Sequence, residues 1–221
     1  MTASPAPPLV LWDLDGTLLR AGGVSRDAFA AAVGDLGDLG PDLSFAGRTD
    51  PWIAHEVLTR AGRDPALAPE VLRRYADELA ARAGDLARTG RVLPGAREAL
   101  AALAGRGARQ GVVTGNLAVT ARVKLAALDL LGHLDLDGSA FGDDGATRDD
   151  LVPVALRRAG GVPPERAWVV GDTPHDLQCA RAAGVRCLLV ATGGYDLDAL
   201  SALGADAVLP DLTGAADVLL G

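Results

Sequence analysis

The sequence predicts an α/β fold in which a parallel sheet is interrupted, after its first strand, by a long helical insert. Short apolar runs rich in Val or Leu recur along the chain, and helical patterns of roughly 10 to 15 residues separate most of them. This alternation is typical of a parallel sheet with helical crossovers. About 90 residues separate the first two runs, far more than one crossover needs, which indicates an insert.

The sheet strands are predicted at 9–12, 111–113, 168–170 and 187–190, with an edge strand at 207–209 and a closing helix at 212–220. The insert is predicted to contain helices over 25–36, 51–61 and 69–86, and the second of these begins with Thr49 or Asp50 as its N-cap and Pro51 in its first turn. We therefore divide the chain into a loose tail (1–8), an α/β core (9–19 and 92–221) and a helical insert (20–91).

Composition excludes several classes of function. The net charge is −8 and Lys124 is the single lysine, so the clustered cations that bind nucleic acid are missing. No apolar run approaches the roughly 18 residues that span a membrane. The tail lacks the features of a targeting peptide, and two cysteines do not make a disulfide framework. We expect a cytoplasmic protein with reduced thiols.

Polar motifs follow the ends of three predicted strands. They are DLDGT at 13–17, TGN at 114–116 and GDTPHD at 171–176. The carboxyl ends of parallel strands share one edge of the sheet, and open sheets bind ligands there. The three motifs are therefore expected to form one site.

These motifs resemble those of the haloacid dehalogenase superfamily, whose first motif has the form Asp-x-Asp-Gly-Thr and whose fourth resembles Gly-Asp-x-x-x-Asp. The resemblance covers nearly the whole chain, and the insert corresponds to the helical cap of that family. It implies a Rossmann-like, doubly wound core. Its closest branch is the phosphoglycolate phosphatase-like and β-phosphoglucomutase-like one, whose members act on small phosphorylated metabolites.

The resemblance implies that Asp13 is the nucleophile, which forms an aspartyl-phosphate, and that Asp15 is the general acid and base. An acid at position 15 favours phosphate-ester chemistry, because dehalogenating relatives lack it. A carboxylate can attack a phosphate ester only if a cation offsets the negative charges. Mg²⁺ prefers oxygen ligands, and Asp13, Asp172 and the backbone carbonyl of Asp15 fit its coordination shell.

Phosphate-binding groups are expected from the second motif and from one cation. Thr114 can donate its hydroxyl to a phosphoryl oxygen, and the amides of Gly115 and Asn116 can add donors. The third motif of the family is usually a lysine, but Lys124 lies in a predicted helix well before the usual place. We therefore assign Arg148 as its substitute and expect Lys124 to be a cap or core contact.

Asp176 is expected to orient Arg148 or to bind a metal-bound water, without ligating the metal directly. Arg48, beside a predicted helix start, either contacts an anionic group of the substrate or forms a surface ion pair. The alternatives to a phosphatase are a phosphomutase, a non-catalytic phospho-acceptor switch and a binding protein on this fold. The sequence leaves open whether the protein is a monomer or a homodimer.

Overall fold

The computed structural model describes residues 7–221, so most of the predicted tail lies outside the described residues. The described chain forms the strands β1 (Leu9–Trp12), β2 (Leu19–Arg20), β3 (Arg91–Val92), β4 (Arg109–Val112), β5 (Ala167–Gly171), β6 (Arg186–Val190) and β7 (Ala207–Leu209). Five of them make one parallel sheet with the order β4-β1-β5-β6-β7. This arrangement confirms the predicted Rossmann-like α/β core.

Helices connect and cover these strands. They are α1 (Val24–Val33), α2 (Asp50–Arg60), α3 (Ala68–Ala81), α4 (Ala83–Thr89), α5 (Ala96–Gly105), α6 (Ala118–Ala127), α7 (Leu151–Arg158), α8 (Pro174–Ala183), α9 (Leu197–Ser201) and α10 (Ala215–Leu220). Short 3-10 turns occur at Gly34–Leu36, Pro65–Leu67, Leu131–His133, Arg148–Asp150 and Pro164–Arg166. In the part of the chain that the structure describes, no helix is both long and apolar enough to cross a membrane.

The sheet is buried on both faces, which explains why its strands are continuous apolar runs. Successive side chains of a strand point to opposite faces. Val10 and Trp12 accordingly pack with α5, α6 and α10, whereas Leu9 and Leu11 pack with α7, α8 and α9. Helices on both faces are what the doubly wound architecture requires.

The segment between β2 and β3 consists of α1 to α4 and has its own apolar core around Phe29 and Tyr75. One helix was predicted at 69–86, but the structure interrupts it at Arg82, where the backbone leaves helical geometry between α3 and α4. The strands β2 and β3 pair antiparallel and connect this segment to the sheet. The division into core and cap domains stays a prediction, and its two boundaries fall within this strand pair.

Register places the motifs at one edge. Trp12 pairs with Val112 on one side and with Val170 on the other. The residues that follow these positions therefore leave the sheet at the same level, and the three polar motifs meet there.

Candidate active site

The first motif forms a tight turn directly after β1. The backbone N–H of Asp13 still donates to the carbonyl of Val170 at 2.9 Å, which fixes Asp13 at the sheet edge. Gly16 has a φ of 94°, a conformation that favours glycine. Thr17 donates from its hydroxyl to Oδ1 of Asp172 at 3.3 Å. The turn thus joins the first and fourth motifs.

Arg148 lies beside the proposed nucleophile, as the sequence predicted. Its Nη2 is 2.9 Å from Oδ1 of Asp13 and also contacts Oδ1 of Asp176. Asp176 is fully buried, and its other oxygen accepts from the backbone N–H and hydroxyl of Thr173 at 2.9 and 2.7 Å. The first turn of α8 therefore holds Asp176, and Asp176 holds the guanidinium.

Three buried carboxylates crowd this edge of the sheet. Oxygens of Asp13, Asp172 and Asp176 lie within 4.8 Å of one another. Burial raises the pKa of Asp13 to about 6, although Arg148 opposes the change. Burial, and next the charge of Asp13, raises the pKa of Asp172 to about 8. Buried acids that repel one another in this way favour a bound cation.

The donor set fits Mg²⁺. Both oxygens of Asp176 already have donors, from Arg148 and Thr173. Asp13 and Asp172 each have a donor on Oδ1 alone, from Arg148 and Thr17, so each keeps Oδ2 for a cation. A Cβ atom at Gly193 would lie only 1.6 Å from Oδ2 of Asp172. The backbone of this loop therefore packs directly against the carboxylate of Asp172 and restricts its position. Carboxylate oxygens held in fixed positions are the ligands that Mg²⁺ prefers.

The second motif surrounds the other acid of the first motif. Thr114 is buried two residues beyond the end of β4, and its hydroxyl accepts from Nδ2 of Asn116 at 2.8 Å. The same Nδ2 donates to Oδ2 of Asp15 at 2.9 Å. The side chain of Asn116 thus links Asp15 to the predicted phosphate-binding loop.

Lys124 is buried, as a core contact would be, and its ammonium also contacts Asp15, which was not expected. Its Nζ donates to Oδ2 of Asp15 at 2.6 Å and to Oδ1 of Asn116. Side chains on a helix point back toward its N-terminus, and an extended lysine side chain reaches about one turn, roughly 5 Å, in that direction. Because α6 begins just after the second motif, position 124 can reach the site. That spacing was the signal that sequence reasoning missed.

The start of α2 packs against the second motif. The backbone N–H of Asp50 donates to the carbonyl of Gly115 at 2.7 Å. A Cβ atom at Gly115 would lie 2.1 Å from the carbonyl oxygen of Arg48, so only glycine fits. The carboxylate of Asp50 accepts from the N–H of Leu117 at 2.9 Å and from the hydroxyl of Thr120 at 3.2 Å. The N-terminus of α6 is thus bonded to α2.

Thr49, and not Asp50, caps α2. Its hydroxyl accepts from the backbone N–H of Trp52 at 3.2 Å. The guanidinium of Arg48 stacks over the ring of Trp52, 4.3 Å from the ring centroid, which is a cation–π contact. Arg48 therefore has a structural contact and also lines the cavity above the acids.

That cavity has a volume of about 550 Å³ and lies between α1 to α3 and the edge of the sheet. Its floor carries the acids of the first motif, Asp172 and Arg148. The cavity is also lined by Arg20, Arg26 and Arg48, together with apolar side chains and Tyr75. The volume suits a small molecule, and the cations suit an anionic one.

Comparison with known proteins gives consistent matches. The family described as haloacid dehalogenase-like hydrolases matches residues 10–181. A phosphoglycolate phosphatase of Rhodospirillum rubrum is 36% identical, with 96% of this chain and 91% of that protein covered. A phosphoglycolate phosphatase of Cupriavidus necator is 33% identical, with 92% and 89% covered. The crystal structure of CbbY from Rhodobacter sphaeroides in complex with phosphate shares the fold, with a TM-score of 0.75, 23% identity and 94% and 95% covered.

Proposed function

Because the chain belongs to the haloacid dehalogenase-like hydrolase family and is a phosphatase of that family, we propose that it hydrolyses a small phosphate monoester with Mg²⁺ and an aspartyl-phosphate on Asp13. The observation that carries this proposal is the arrangement around Asp13. Arg148 bridges it to Asp176, and Asp172 lies beside it. A nucleophilic carboxylate with a fixed cation on one side and a second carboxylate on the other suits phosphoryl transfer.

In the first step, a carboxylate oxygen of Asp13 attacks phosphorus, and the bond from phosphorus to the ester oxygen breaks. Asp15 gives its proton to the leaving alcohol. Arg148 holds Asp13 in place and offsets the charge of the phosphoryl group. When bound by Asp13, Asp172 and the backbone carbonyl of Asp15, Mg²⁺ supplies the remaining charge neutralisation.

In the second step, Asp15 removes a proton from a water molecule, which attacks the phosphorus of the aspartyl-phosphate. The carboxylate of Asp13 is released, and inorganic phosphate leaves. Thr114 and the amides of Gly115 and Asn116 serve as donors to the phosphoryl oxygens in both steps. Asp15 thus regains from water the proton that it gave to the alcohol, and the site returns to its starting state.

Phosphoglycolate is the first candidate substrate, because two relatives are phosphoglycolate phosphatases, and sugar phosphates are the second. The cavity of about 550 Å³ admits small esters of either kind. Arg48, stacked on Trp52 at the cavity, is proposed to contact an anionic group of the substrate. The helical insert is proposed to act as a cap domain that excludes water.

The test is the release of inorganic phosphate from phosphoglycolate and a panel of sugar phosphates, with Mg²⁺ and with chelator. We expect metal-dependent release that is lost in Asp13→Asn and kept in Asp137→Asn, a matched change at a fully exposed acid. Isomerised sugar phosphate without phosphate release would support a mutase instead. Undiminished activity in Asp13→Asn would refute the nucleophile.

A further inference from the structure

Lys124 has an unusual position for the only lysine of the chain. Its side chain is 3% exposed, and its ammonium contacts Oδ2 of Asp15 and Oδ1 of Asn116. Burying an ammonium costs free energy unless a partner compensates it. Arg148 already serves Asp13, so Lys124 is a second cation of the site, and its partner is the other acid of the first motif.

The helix that carries Lys124 is fixed at its start. The N-cap residue of α6 is Leu117, whose side chain cannot cap a helix. Two acids bind the start of α6 instead. Asp50, from α2, accepts from the N–H of Leu117 and the hydroxyl of Thr120, and Asp143 accepts from the N–H of Ala118 at 3.0 Å. Lys124 follows Thr120 by one turn on the same side of α6. The contacts at the start of α6 fix the backbone that carries Lys124, and Asp15 and Asn116 fix its ammonium.

Both donors to Asp15 use the same oxygen. Nδ2 of Asn116 and Nζ of Lys124 bind Oδ2 at 2.9 and 2.6 Å. The side chain of Asp15 is otherwise 40% exposed and lines the cavity. An acid held by one oxygen keeps its orientation, and its second oxygen stays available to give and take a proton.

Resting on the proposed function, we infer that Lys124 is a positioning residue for Asp15: it fixes Oδ2 so that Oδ1 exchanges the proton with the leaving alcohol and the attacking water. Its effect should therefore be confined to the steps in which Asp15 transfers a proton. A lysine that only stabilised the fold would affect every substrate alike.

The leaving group separates these two roles. An alkyl alcohol needs a proton as it leaves, whereas p-nitrophenolate leaves without one. We expect Lys124→Met to lower kcat/KM about a hundredfold for the best alkyl ester of the panel, and less than about threefold for p-nitrophenyl phosphate. Asp15→Asn should show the same selectivity. The variant with both Lys124→Met and Asp15→Asn should lose no more kcat/KM for the alkyl ester than Asp15→Asn alone, since both changes remove the same proton transfer.

Arg122→Met is the matched control, because Arg122 lies on the exposed side of α6 and only approaches Asp137 at 3.8 Å. It should retain wild-type kinetics. Lys124→Gln is the second variant, because glutamine keeps a hydrogen-bond donor without the charge. It serves as the test if thermal unfolding shows that Lys124→Met does not fold.

Equal losses for the two esters, or a loss that adds to that of Asp15→Asn, would overturn the inference and make Lys124 structural. Failure of the proposed function looks different. In that case the wild-type protein would release no phosphate from any ester, or Asp15→Asn would treat both esters alike.

Discussion

The carboxylate of Asp50 offers a quantitative test of how α2 packs against the core. Asp50 is 6% exposed and lies at the first turn of α2, against the start of α6. Burial raises its pKa from 3.8 to about 6, with Lys124 opposing the change and Asp15 adding to it. The perturbation is Asp50→Asn, which keeps the shape of the side chain and removes the titration.

The sign follows from proton binding. Between about pH 4 and pH 6 the folded protein holds a proton on Asp50 that the unfolded chain has released, so the free energy of unfolding falls as the pH rises. A change in pKa from 3.8 to about 6 corresponds to about 3 kcal/mol, since each pKa unit is worth about 1.4 kcal/mol. Relative to Asp50→Asn, the free energy of unfolding of the wild-type protein should fall by that amount between about pH 4 and pH 6, and it should fall no further above about pH 6.

The assay is urea unfolding of both proteins at several values from about pH 4 to pH 8, with chelator present so that metal binding does not contribute. Hydrogen bonds that are lost with the carboxylate change the difference in the free energy of unfolding between the two proteins by the same amount at every pH. They do not change how this difference varies with pH. Asp137→Asn is the control, because a fully exposed acid should not give a falling difference. A pH-independent difference for Asp50→Asn would refute the burial of a charged group at this contact.

Three further variants test the site. Asp13→Asn should abolish phosphate release without lowering Tm, and retention of a tenth of the activity would exclude Asp13 as the nucleophile. Arg148→Met should lower kcat/KM by about 10- to 100-fold, because it removes the cation that contacts both Asp13 and Asp176; unchanged kinetics would contradict the bridge. Gly193→Ala should raise the Mg²⁺ concentration for half-maximal activity at least about tenfold, because its Cβ would displace Asp172. Gly194→Ala, with nothing near its Cβ, should not; equal effects would refute the fit.

The strands and the convergence of the motifs could be predicted from the sequence. Strand β1 was predicted at its observed bounds, because a strand buried on both faces must be a continuous apolar run. Parallel topology then brings Asp13, Thr114 and Asp172 to one edge without further information. Arg148 was assigned as the substitute for the lysine of the family's third motif, and that role stays a prediction; its guanidinium lies 2.9 Å from Asp13.

Other features depend on contacts that local patterns do not encode. The pair of β2 and β3 is too short to show any periodicity. The helix between α3 and α4 breaks at Arg82, where the sequence contains neither a proline nor a glycine at the break residue that would predict the end of a helix. Asp50 looked like a helix cap because an acid at a helix start commonly is one. The groups that donate to its carboxylate, the N–H of Leu117 and the hydroxyl of Thr120, lie more than sixty positions away.

The two acids of the first motif have separate cations. Arg148 serves Asp13, and Lys124 serves Asp15. Arg148 is fixed by α8 through Asp176, whereas Lys124 is carried by α6. Attack and proton transfer therefore depend on different elements of the fold. Changes at Arg148 should accordingly lower kcat/KM for alkyl and nitrophenyl esters alike, because every ester must be attacked. Changes at Lys124 should spare kcat/KM for the nitrophenyl ester, whose leaving group needs no proton.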